Sequence, residues 1–384
     1  MTGDLIPVLW LCGPPGVGKT TVGWEIFSQL TRAGIETGYV DIDQLGMCYP
    51  EAASDPGRHR MKARNLGSVV ANFRAAGARC VIVSGVVDAA YGVHAGMVPQ
   101  AAVTVRRLRA GRDELRQRFA GRRGQAGAVE DVLREADAMD ASDFAAVCVD
   151  TSAVPVAEVA RLVRERSGRW PVLTGPGRSS RAAEPGGHAG AAGTGGPVLL
   201  LCGATGVGKS AVGFEVYLRD LRAGFTAAFI DLDQIGFCRP APPGDTGNHR
   251  VKAANLAALW RTYRAAGAQR LIVVGPVEDE GAVRAYAGAV PSVTLTLCRL
   301  HAGRDQLTGR IMRRGQGGSW AQPGDPLTGQ STARLRRIAG QAAADADALE
   351  RAAISALRID TDGRTAEQAA DLIIAQTGWH GRAG

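Results

Sequence analysis

The sequence predicts an α/β protein of two similar domains, each a five-stranded parallel β-sheet flanked by helices and carrying a lid. The first observation is an internal repeat, because a glycine-rich motif that begins at Gly13 returns at Gly203, an offset of 190 residues. The second is an alternation, in both halves, of short apolar runs with stretches of helix length, which is typical of parallel sheets with crossover helices. With 384 residues, the chain is long enough for two such domains.

In the first half the predicted elements follow one another closely. A strand at 7–12 leads into the glycine-rich motif, a helix ends at Ala33, and a strand covers 38–42. A helix at 58–76 and a strand at 80–83 come next, and two more strands are predicted at 102–105 and 147–149. In the second half the last three strands are expected at 271–274, 293–297 and 357–359.

The domain boundaries follow from composition. We expect a first domain over 1–169, a flexible linker over 170–196 and a second domain over 197–380, because the linker is rich in Gly and Pro and poor in apolar groups. A second low-complexity stretch, Gly315 to Ser331, falls inside the second half where a mobile lid is expected.

Charge and cysteine content limit the classes of function. The net charge of +8 and pI near 9.4 permit phosphate-bearing partners, but the arginines are spread along the chain, so nucleic-acid binding is possible and not indicated. Seven scattered cysteines without a C-x-x-C pair predict reduced thiols in a cytoplasmic protein and no cysteine metal site. No apolar run reaches membrane-spanning length, so no membrane partner is expected. The oligomeric state stays open.

The repeated motif is G-x-x-x-x-G-K-[ST], the pattern of a phosphate-binding P-loop. Its backbone N–H groups wrap phosphates at a helix N-terminus, the Lys reaches the terminal phosphates and the hydroxyl serves Mg²⁺. We therefore predict ATP and Mg²⁺ as cofactors. The predicted nucleotide-binding residues are Gly13, Pro14, Pro15, Gly16, Val17, Gly18, Lys19 and Thr20, repeated as Gly203, Ala204, Thr205, Gly206, Val207, Gly208, Lys209 and Ser210.

Lysine usage supports this interpretation. Of 45 basic residues only four are Lys, namely Lys19, Lys62, Lys209 and Lys252, and the second pair repeats the first at the offset of 190. Arginine replaces lysine easily on a solvated face but cannot imitate a compact ammonium among phosphate oxygens. The four lysines are therefore predicted to be chemically required.

A D-x-D pair follows each motif at the end of the second strand. Asp41 and Asp43 return as Asp231 and Asp233, and residues two apart on a strand face the same side, here toward the phosphates. One carboxylate can order Mg²⁺ while the other accepts a proton from an attacking hydroxyl. The segment also contains D-x-x-G, but a GTPase is excluded because no [NT]-K-x-D motif exists.

These residues resemble the small-molecule and nucleotide kinase branch of P-loop proteins, near shikimate, adenylylsulfate and gluconate kinases and antibiotic phosphotransferases. By that resemblance Asp41 and Asp231, with Thr20 and Ser210, would serve the metal, and Asp43 and Asp233 would hold the acceptor or act as base. The repeated R-x-x-x-R is similar to the family's lid: Arg118 and Arg310 would lie over adenine, and Arg122 and Arg314 would reach the transferred phosphoryl group. A solvated helix face is the alternative for these arginines.

The helix after the D-x-D carries one more repeated pattern. His59, Lys62 and Asn65 are spaced by three, as are His249, Lys252 and Asn255, so each trio lies near one helical face. Related kinases seat the phosphoryl acceptor in this region, so we predict substrate contacts here and an anionic acceptor. Helix capping and surface pairing are the alternative.

The sequence as a whole predicts a tandem kinase. Each half would transfer the γ-phosphoryl group of ATP to a small hydroxyl-bearing or anionic acceptor, with Lys19, Asp43 and Arg122 as catalytic residues in the first half and Lys209, Asp233 and Arg314 in the second. Two alternatives remain: a nucleotide-dependent switch or assembly ATPase, and a polynucleotide or nucleotide-sugar kinase.

Overall fold

The computed structural model describes residues 5–88, 91–120, 129–142, 144–145, 147–173, 196–291, 294–317, 325, 327–352 and 356–381. Within these residues the strands are β1 (Ile6–Cys12), β2 (Thr37–Asp41), β3 (Cys48–Tyr49), β4 (Cys80–Ser84), β5 (Ala101–Arg109), β6 (Cys148–Asp150), β7 (Val198–Cys202), β8 (Ala227–Asp231), β9 (Phe237–Arg239), β10 (Arg270–Val274), β11 (Leu295–His301) and β12 (Leu357–Asp360). The α-helices are α1 (Lys19–Arg32), α2 (His59–Ala75), α3 (Arg112–Ala120), α4 (Val129–Asp140), α5 (Val156–Glu165), α6 (Lys209–Arg222), α7 (His249–Ala265), α8 (Glu280–Ala289), α9 (Arg304–Gly315), α10 (Thr332–Arg351) and α11 (Ala366–Thr377).

The chain forms two compact units that do not coincide with its two sequence halves. Counting described residues only, the first unit takes those within Met1–Gly46, Glu51–Gly186 and Ile235–Val251. The second takes those within Met47–Pro50, Gly187–Gln234 and Lys252–Gly384. Each unit therefore includes one short segment from the other half of the sequence.

Each unit is built on one six-stranded sheet of the predicted α/β class. The strand order is β6-β5-β1-β4-β2-β9 in the first unit and β12-β11-β7-β10-β8-β3 in the second. The first five strands of each sheet are parallel, as expected for strands joined by crossover helices. The predicted fold class is confirmed, because both sheets are mostly parallel and flanked by helices.

The sixth strand of each sheet was not predicted. In the first unit β9 pairs antiparallel with β2, with Cys238 opposite Gly38. In the second unit β3 pairs antiparallel with β8, with Cys48 opposite Ala228. Both strands have only two or three residues, too few to show an alternation of apolar and polar side chains.

Continuous burial explains why the central strands are mostly apolar. Every residue of β4, β7, β8 and β10 is buried, which is the condition of a parallel strand covered by helices on both faces. In the first unit the core also reaches Trp170, which is only 3 % exposed. That core therefore extends one residue into the predicted linker, while positions 174–195 lie outside the described residues.

A buried polar network secures the last helix of the second unit. Asp220 is fully buried and accepts hydrogen bonds from the indole Nε1 of Trp379, while its carboxylate lies 3.3 Å from Arg270. Arg270 in turn donates to the carbonyl oxygen of Trp379 at 2.8 Å, and its guanidinium lies 3.7 Å from the ring centre of Phe225. A buried charge needs such partners, so this network couples the residues after α11 to α6 and β10.

Part of the predicted lid lies outside the described residues. Of the stretch Gly315 to Ser331, positions 318–324 and 326 are not described. At its start Gly315 ends α9, and at its end the Ser331 hydroxyl caps α10 by accepting a hydrogen bond from the backbone nitrogen of Arg334.

Candidate active site

Each predicted phosphate loop joins the central strand of its sheet to the following helix. Residues 13–18 lie between β1 and α1, and residues 203–208 lie between β7 and α6. Gly13 has φ +140°, and a Cβ placed on it would lie 2.3 Å from the carbonyl oxygen of Leu108; for Gly203 the corresponding distance to Leu300 is 2.5 Å. Only glycine fits so close an approach of two backbones, so the first glycine of each motif sets the path of the loop.

The lysine of each loop lies at the first position of its helix. The Lys19 ammonium donates to the carbonyl oxygens of Gly13 at 2.7 Å and Pro14 at 3.0 Å. Lys209 makes the same bonds to Gly203 at 2.8 Å and Ala204 at 3.1 Å. Burial lowers the pKa of both lysines, and the nearby D-x-D carboxylates oppose that shift.

The first aspartate of each D-x-D pair meets the hydroxyl that follows the loop lysine. Thr20 donates to Asp41 Oδ2 at 3.1 Å, and Ser210 donates to Asp231 Oδ2 at 2.8 Å. In both units the other carboxylate oxygen accepts the backbone N–H two residues later at 3.0 Å. The structure therefore brings together the predicted metal-binding pair of each half.

Burial dominates the electrostatics of these two aspartates. It raises the pKa of both Asp41 and Asp231 to about 6, and the charge of the second aspartate of each pair adds to the shift. A divalent cation beside the carboxylate would favour its ionised form, so the donor set of one hydroxyl and one carboxylate fits Mg²⁺. Within the described residues no group of three or more His, Cys, Asp or Glu side chains is arranged to hold a metal.

The second aspartate of each D-x-D pair is paired with the lysine of the helix that follows it in the same half of the sequence. Lys62 Nζ lies 2.8 Å from Asp43 Oδ1, and Lys252 Nζ lies 2.8 Å from Asp233 Oδ1. In both pairs the lysine side chain is almost fully buried, whereas the carboxylates are 48 % and 50 % exposed. In each pair the carboxylate is therefore accessible to solvent, and the buried lysine holds it from the protein interior.

The other predicted substrate residues of this helix have different surroundings. Asn65 is fully buried and donates from Nδ2 to the carbonyl oxygen of Leu45 at 2.7 Å, so it holds the turn after the D-x-D. Asn255 is likewise fully buried. His59 is half-buried beside Gly57, and burial followed by the charge of Lys62 lowers its pKa. His249 packs in the same way beside Gly247.

The first arginine of each R-x-x-x-R is built into the wall of the phosphate loop. Arg118 donates to the carbonyl oxygen of Val17 at 3.3 Å and to that of Thr151 at 2.8 Å. Arg310 donates to the carbonyl oxygens of Val207 at 2.9 Å and Thr361 at 2.6 Å. Each arginine thus joins the loop to the residue after the last strand.

The second arginine is described in one half only. Arg314 lies near the end of α9 and forms an ion pair with the buried carboxylate of Asp325 at 2.8 Å. Its positive charge acts on Lys209 and contributes to lowering the pKa of that lysine. Arg122 lies outside the described residues.

Glu135 on α4 was missed by the sequence analysis. Its carboxylate is half-buried and interacts electrostatically with Lys19, Asp43 and Lys62, while burial raises its pKa. Its neighbours on the inner face of α4 are the apolar residues Val132, Leu133, Ala136 and Met139. An acidic residue beside an otherwise apolar helical face was the available signal.

A second missed feature distinguishes the two units. Tyr39 OH lies 2.8 Å from the Ser84 hydroxyl, which donates to Asp41 Oδ2 at 3.1 Å. The corresponding residues of the second unit, at the offset of 190, are Phe229 and Val274. The carboxylate of Asp41 therefore has one hydroxyl donor more than the carboxylate of Asp231.

In comparisons with known proteins, the chain is similar to individual solved structures. No family model and no curated protein matches the chain. A tunicamycin resistance protein from Deinococcus radiodurans shares 18 % identity over 48 % of this chain and 96 % of its own, with a TM-score of 0.32. A gluconokinase from Sinorhizobium meliloti 1021 shares 14 % identity over 50 % of this chain and 99 % of its own, with a TM-score of 0.31. A shikimate kinase from Bacteroides thetaiotaomicron shares 17 % identity over 47 % of this chain and 98 % of its own, with a TM-score of 0.32.

None of the described helices combines the length and apolar character that crossing a membrane requires.

Proposed function

We propose that the chain is a tandem ATP-dependent phosphotransferase whose two units each transfer a γ-phosphoryl group to a small hydroxyl-bearing or anionic acceptor. One observation carries the proposal. A buried carboxylate beside the hydroxyl of the phosphate loop, and a half-exposed carboxylate held by a buried lysine, occur in both units with nearly the same distances.

The loops supply the nucleotide site. Backbone N–H groups of residues 13–18 and 203–208 would bind the phosphates at the N-termini of α1 and α6, where unpaired donors and the helix dipole favour anions. Lys19 and Lys209 would exchange their carbonyl partners for phosphate oxygens. Mg²⁺, held by Thr20 with Asp41 and by Ser210 with Asp231, would neutralise charge on the phosphates.

The second aspartate handles the acceptor. Asp43 or Asp233 would accept the proton of the acceptor hydroxyl as its oxygen bonds to the γ-phosphorus, and the bond from that phosphorus to the β,γ-bridging oxygen would break to release ADP. Lys62 and Lys252 would orient these carboxylates and attract an anionic group on the acceptor. Arg118 and Arg310 would hold the adenine side of the site through the loop backbone.

ATP consumption against pooled hydroxylated metabolites, nucleosides, aminoglycosides and nucleotide sugars tests this function. We expect one pool to stimulate turnover and the double variant Lys19→Ala with Lys209→Ala to abolish it. Asp43→Asn with Asp233→Asn should preserve ATP binding and lower acceptor-dependent turnover by about 100-fold or more. Asp113→Asn, at a fully exposed carboxylate on α3, is the matched control and should change nothing.

The same assay separates the two other functions. Tight ATP binding with slow turnover that no pool stimulates would indicate a nucleotide-dependent switch. Stimulation by nucleic-acid ends, with binding that weakens steeply as salt rises, would indicate a polynucleotide kinase. Unchanged turnover in the double lysine variant would refute the role of the phosphate loops in all three.

A further inference from the structure

We propose that the two halves of the chain fold as an interlocked pair, in which each half supplies the antiparallel edge strand that completes the sheet of the other. The proposal concerns how the chain folds and is independent of the proposed phosphoryl transfer. It rests on the two strands, β3 and β9, that the sequence analysis did not find.

The pairing of both strands is regular. In the first unit Thr37, Gly38 and Tyr39 lie opposite Arg239, Cys238 and Phe237. In the second unit Cys48 and Tyr49 lie opposite Ala228 and Ala227, and Phe229 donates its backbone N–H to the carbonyl oxygen of Met47 at 2.9 Å. Cys48 and Cys238 occupy the same position in the two repeats, and each lies in a strand that pairs with the sheet of the other half.

Side-chain packing shows that these strands belong to the cores they join. Cys48 and Cys238 are 2 % and 1 % exposed. In the first unit the ring of Phe237 lies 4.9 Å from that of Trp24 and 6.0 Å from that of Tyr39. The guanidinium of Arg239 lies 5.9 Å from the ring of Trp24, within the range of a cation–π interaction.

The second unit receives its strand in an equivalent way. Met47 and Tyr49 pack against the core cluster that includes Phe229 and Val216. Without β3 the N–H and C=O groups along the free edge of β8 would be exposed, as would those of β2 without β9. Each half alone would therefore have an unprotected sheet edge beside an incomplete apolar core.

The position of the exchanged strands in the sequence ties them to the candidate active sites. β3 lies between Asp43 and His59, so its pairing fixes the segment that runs from the D-x-D to α2. β9 lies in the corresponding segment between Asp233 and α7. Losing the exchange would release the two segments that carry the predicted acceptor residues.

One substitution distinguishes the exchange of strands between the halves from the pairing of each strand within its own half. If each strand paired within its own half, the offset of 190 would place Cys238 opposite Ala228 instead of Cys48. Directly opposed residues of an antiparallel pair have Cα atoms about 4.5–5.5 Å apart, which lies within the range that a disulfide spans. A cysteine at position 228 therefore reports which half supplies the strand.

The experiment uses the full chain carrying Ala228→Cys, with a protease site inserted between positions 186 and 187. After mild oxidation and cleavage we expect the two fragments to migrate together on a non-reducing gel and to separate on reduction, with a disulfide-linked peptide that contains Cys48. Ala227→Cys, opposite Tyr49, is the matched control and should give no such link.

Several results would overturn the proposal. A disulfide from position 228 to Cys238, or no disulfide at this position, would show that β3 does not lie against β8. A covalent dimer of the uncleaved chain would show exchange between two copies. As a second measurement, the cleaved chain without added cysteine should elute as one species in size-exclusion chromatography, and separate elution of its two fragments would contradict the interlock.

Discussion

At the scale of single residues, the two sites depend on carboxylates that are held under an electrostatic cost. Asp41 is 9 % exposed and Asp231 is 5 % exposed, and in the described part of the chain neither accepts a hydrogen bond from a cationic side chain. Water no longer stabilises their ionised forms, which is why their pKa values rise. Such a cost is expected where the fold prepares a site for a cation.

The pH dependence of stability follows from this shift. The pKa of Asp41 rises from 3.8 to about 6 on folding, so between these values the folded chain keeps a proton that the unfolded chain releases. The free energy of unfolding therefore falls as pH rises through this window, and the loss is complete above the folded pKa. Asp41→Asn should remove the loss and stabilise the chain by about 1–3 kcal/mol at pH 7.5.

Urea unfolding at pH 7.5 and at pH 3.5 measures this effect. At pH 3.5 the aspartate is protonated in both states for most of the chains, so the gain from Asp41→Asn should largely disappear. Asp113→Asn, at an exposed carboxylate, serves as the control and should be near neutral at both values. An equal gain at the two pH values would show that the benefit does not come from ionisation.

At the scale of elements, the strand–loop–helix unit depends on the close approach of the loop to the neighbouring strand. Gly13→Ala combines a left-handed backbone with a Cβ 2.3 Å from the Leu108 carbonyl oxygen, so the loop must move. Gly34→Ala shares the positive φ, at +75°, but meets nothing within 4 Å. We expect Gly34→Ala to cost about 1–2 kcal/mol from φ alone.

Gly13→Ala should cost more than Gly34→Ala and should weaken ATP binding at least tenfold at the first loop. Thermal unfolding and ATP titration, both carried out in a Lys209→Ala background, check the two parts of the prediction. ATP binding that stays unchanged in Gly13→Ala would contradict the assignment of this loop.

The sequence predicted the elements whose pattern is carried by their own residues. The strand Cys80–Val83 and the helix at 58–76 agree within one residue with β4 and α2. A buried strand leaves an unbroken apolar run in the sequence, and a glycine marks the end of the helix. The D-x-D and the lysines were found because they repeat. The strands β3 and β9 could not be found in this way, since what makes them strands is an edge supplied from the other half of the sequence.

The contacts at the candidate sites that the sequence did not predict were missed for a similar physical reason. Asn65 shares a helical face with Lys62, and spacing alone cannot tell a side chain that faces an acceptor from one that bonds to a buried carbonyl group. Glu135 approaches Lys19 only through the packing of α4, which no local motif encodes. Contacts that depend on tertiary packing therefore escaped prediction from the sequence.

At the scale of the whole molecule, the two units share a backbone plan but differ in the charges around their phosphate loops. In the first unit Glu135 adds a negative charge near Lys19 and Asp43. In the second unit the charge of Arg314, which is also paired with Asp325, acts on Lys209. Its counterpart in the first half, Arg122, lies outside the described residues, so the comparison of the two loops rests on Glu135. The two loops are thus predicted to differ in affinity for the same anion.

The resulting prediction concerns the dissociation constants for ATP of the two units. In the Lys209→Ala chain, which keeps only the first loop intact, Glu135 repels the triphosphate, so ATP should bind several-fold more weakly than in the Lys19→Ala chain. Glu135→Gln in the Lys209→Ala background should recover most of that difference. Glu130→Gln, at an exposed position of the same helix, should recover none. Burial raises the pKa of Glu135, so its effect on ATP binding should shrink as pH falls and its carboxylate takes up a proton, which isothermal titration over a series of pH values measures. A difference between the loops that Glu135→Gln leaves intact would place its origin elsewhere in the two units.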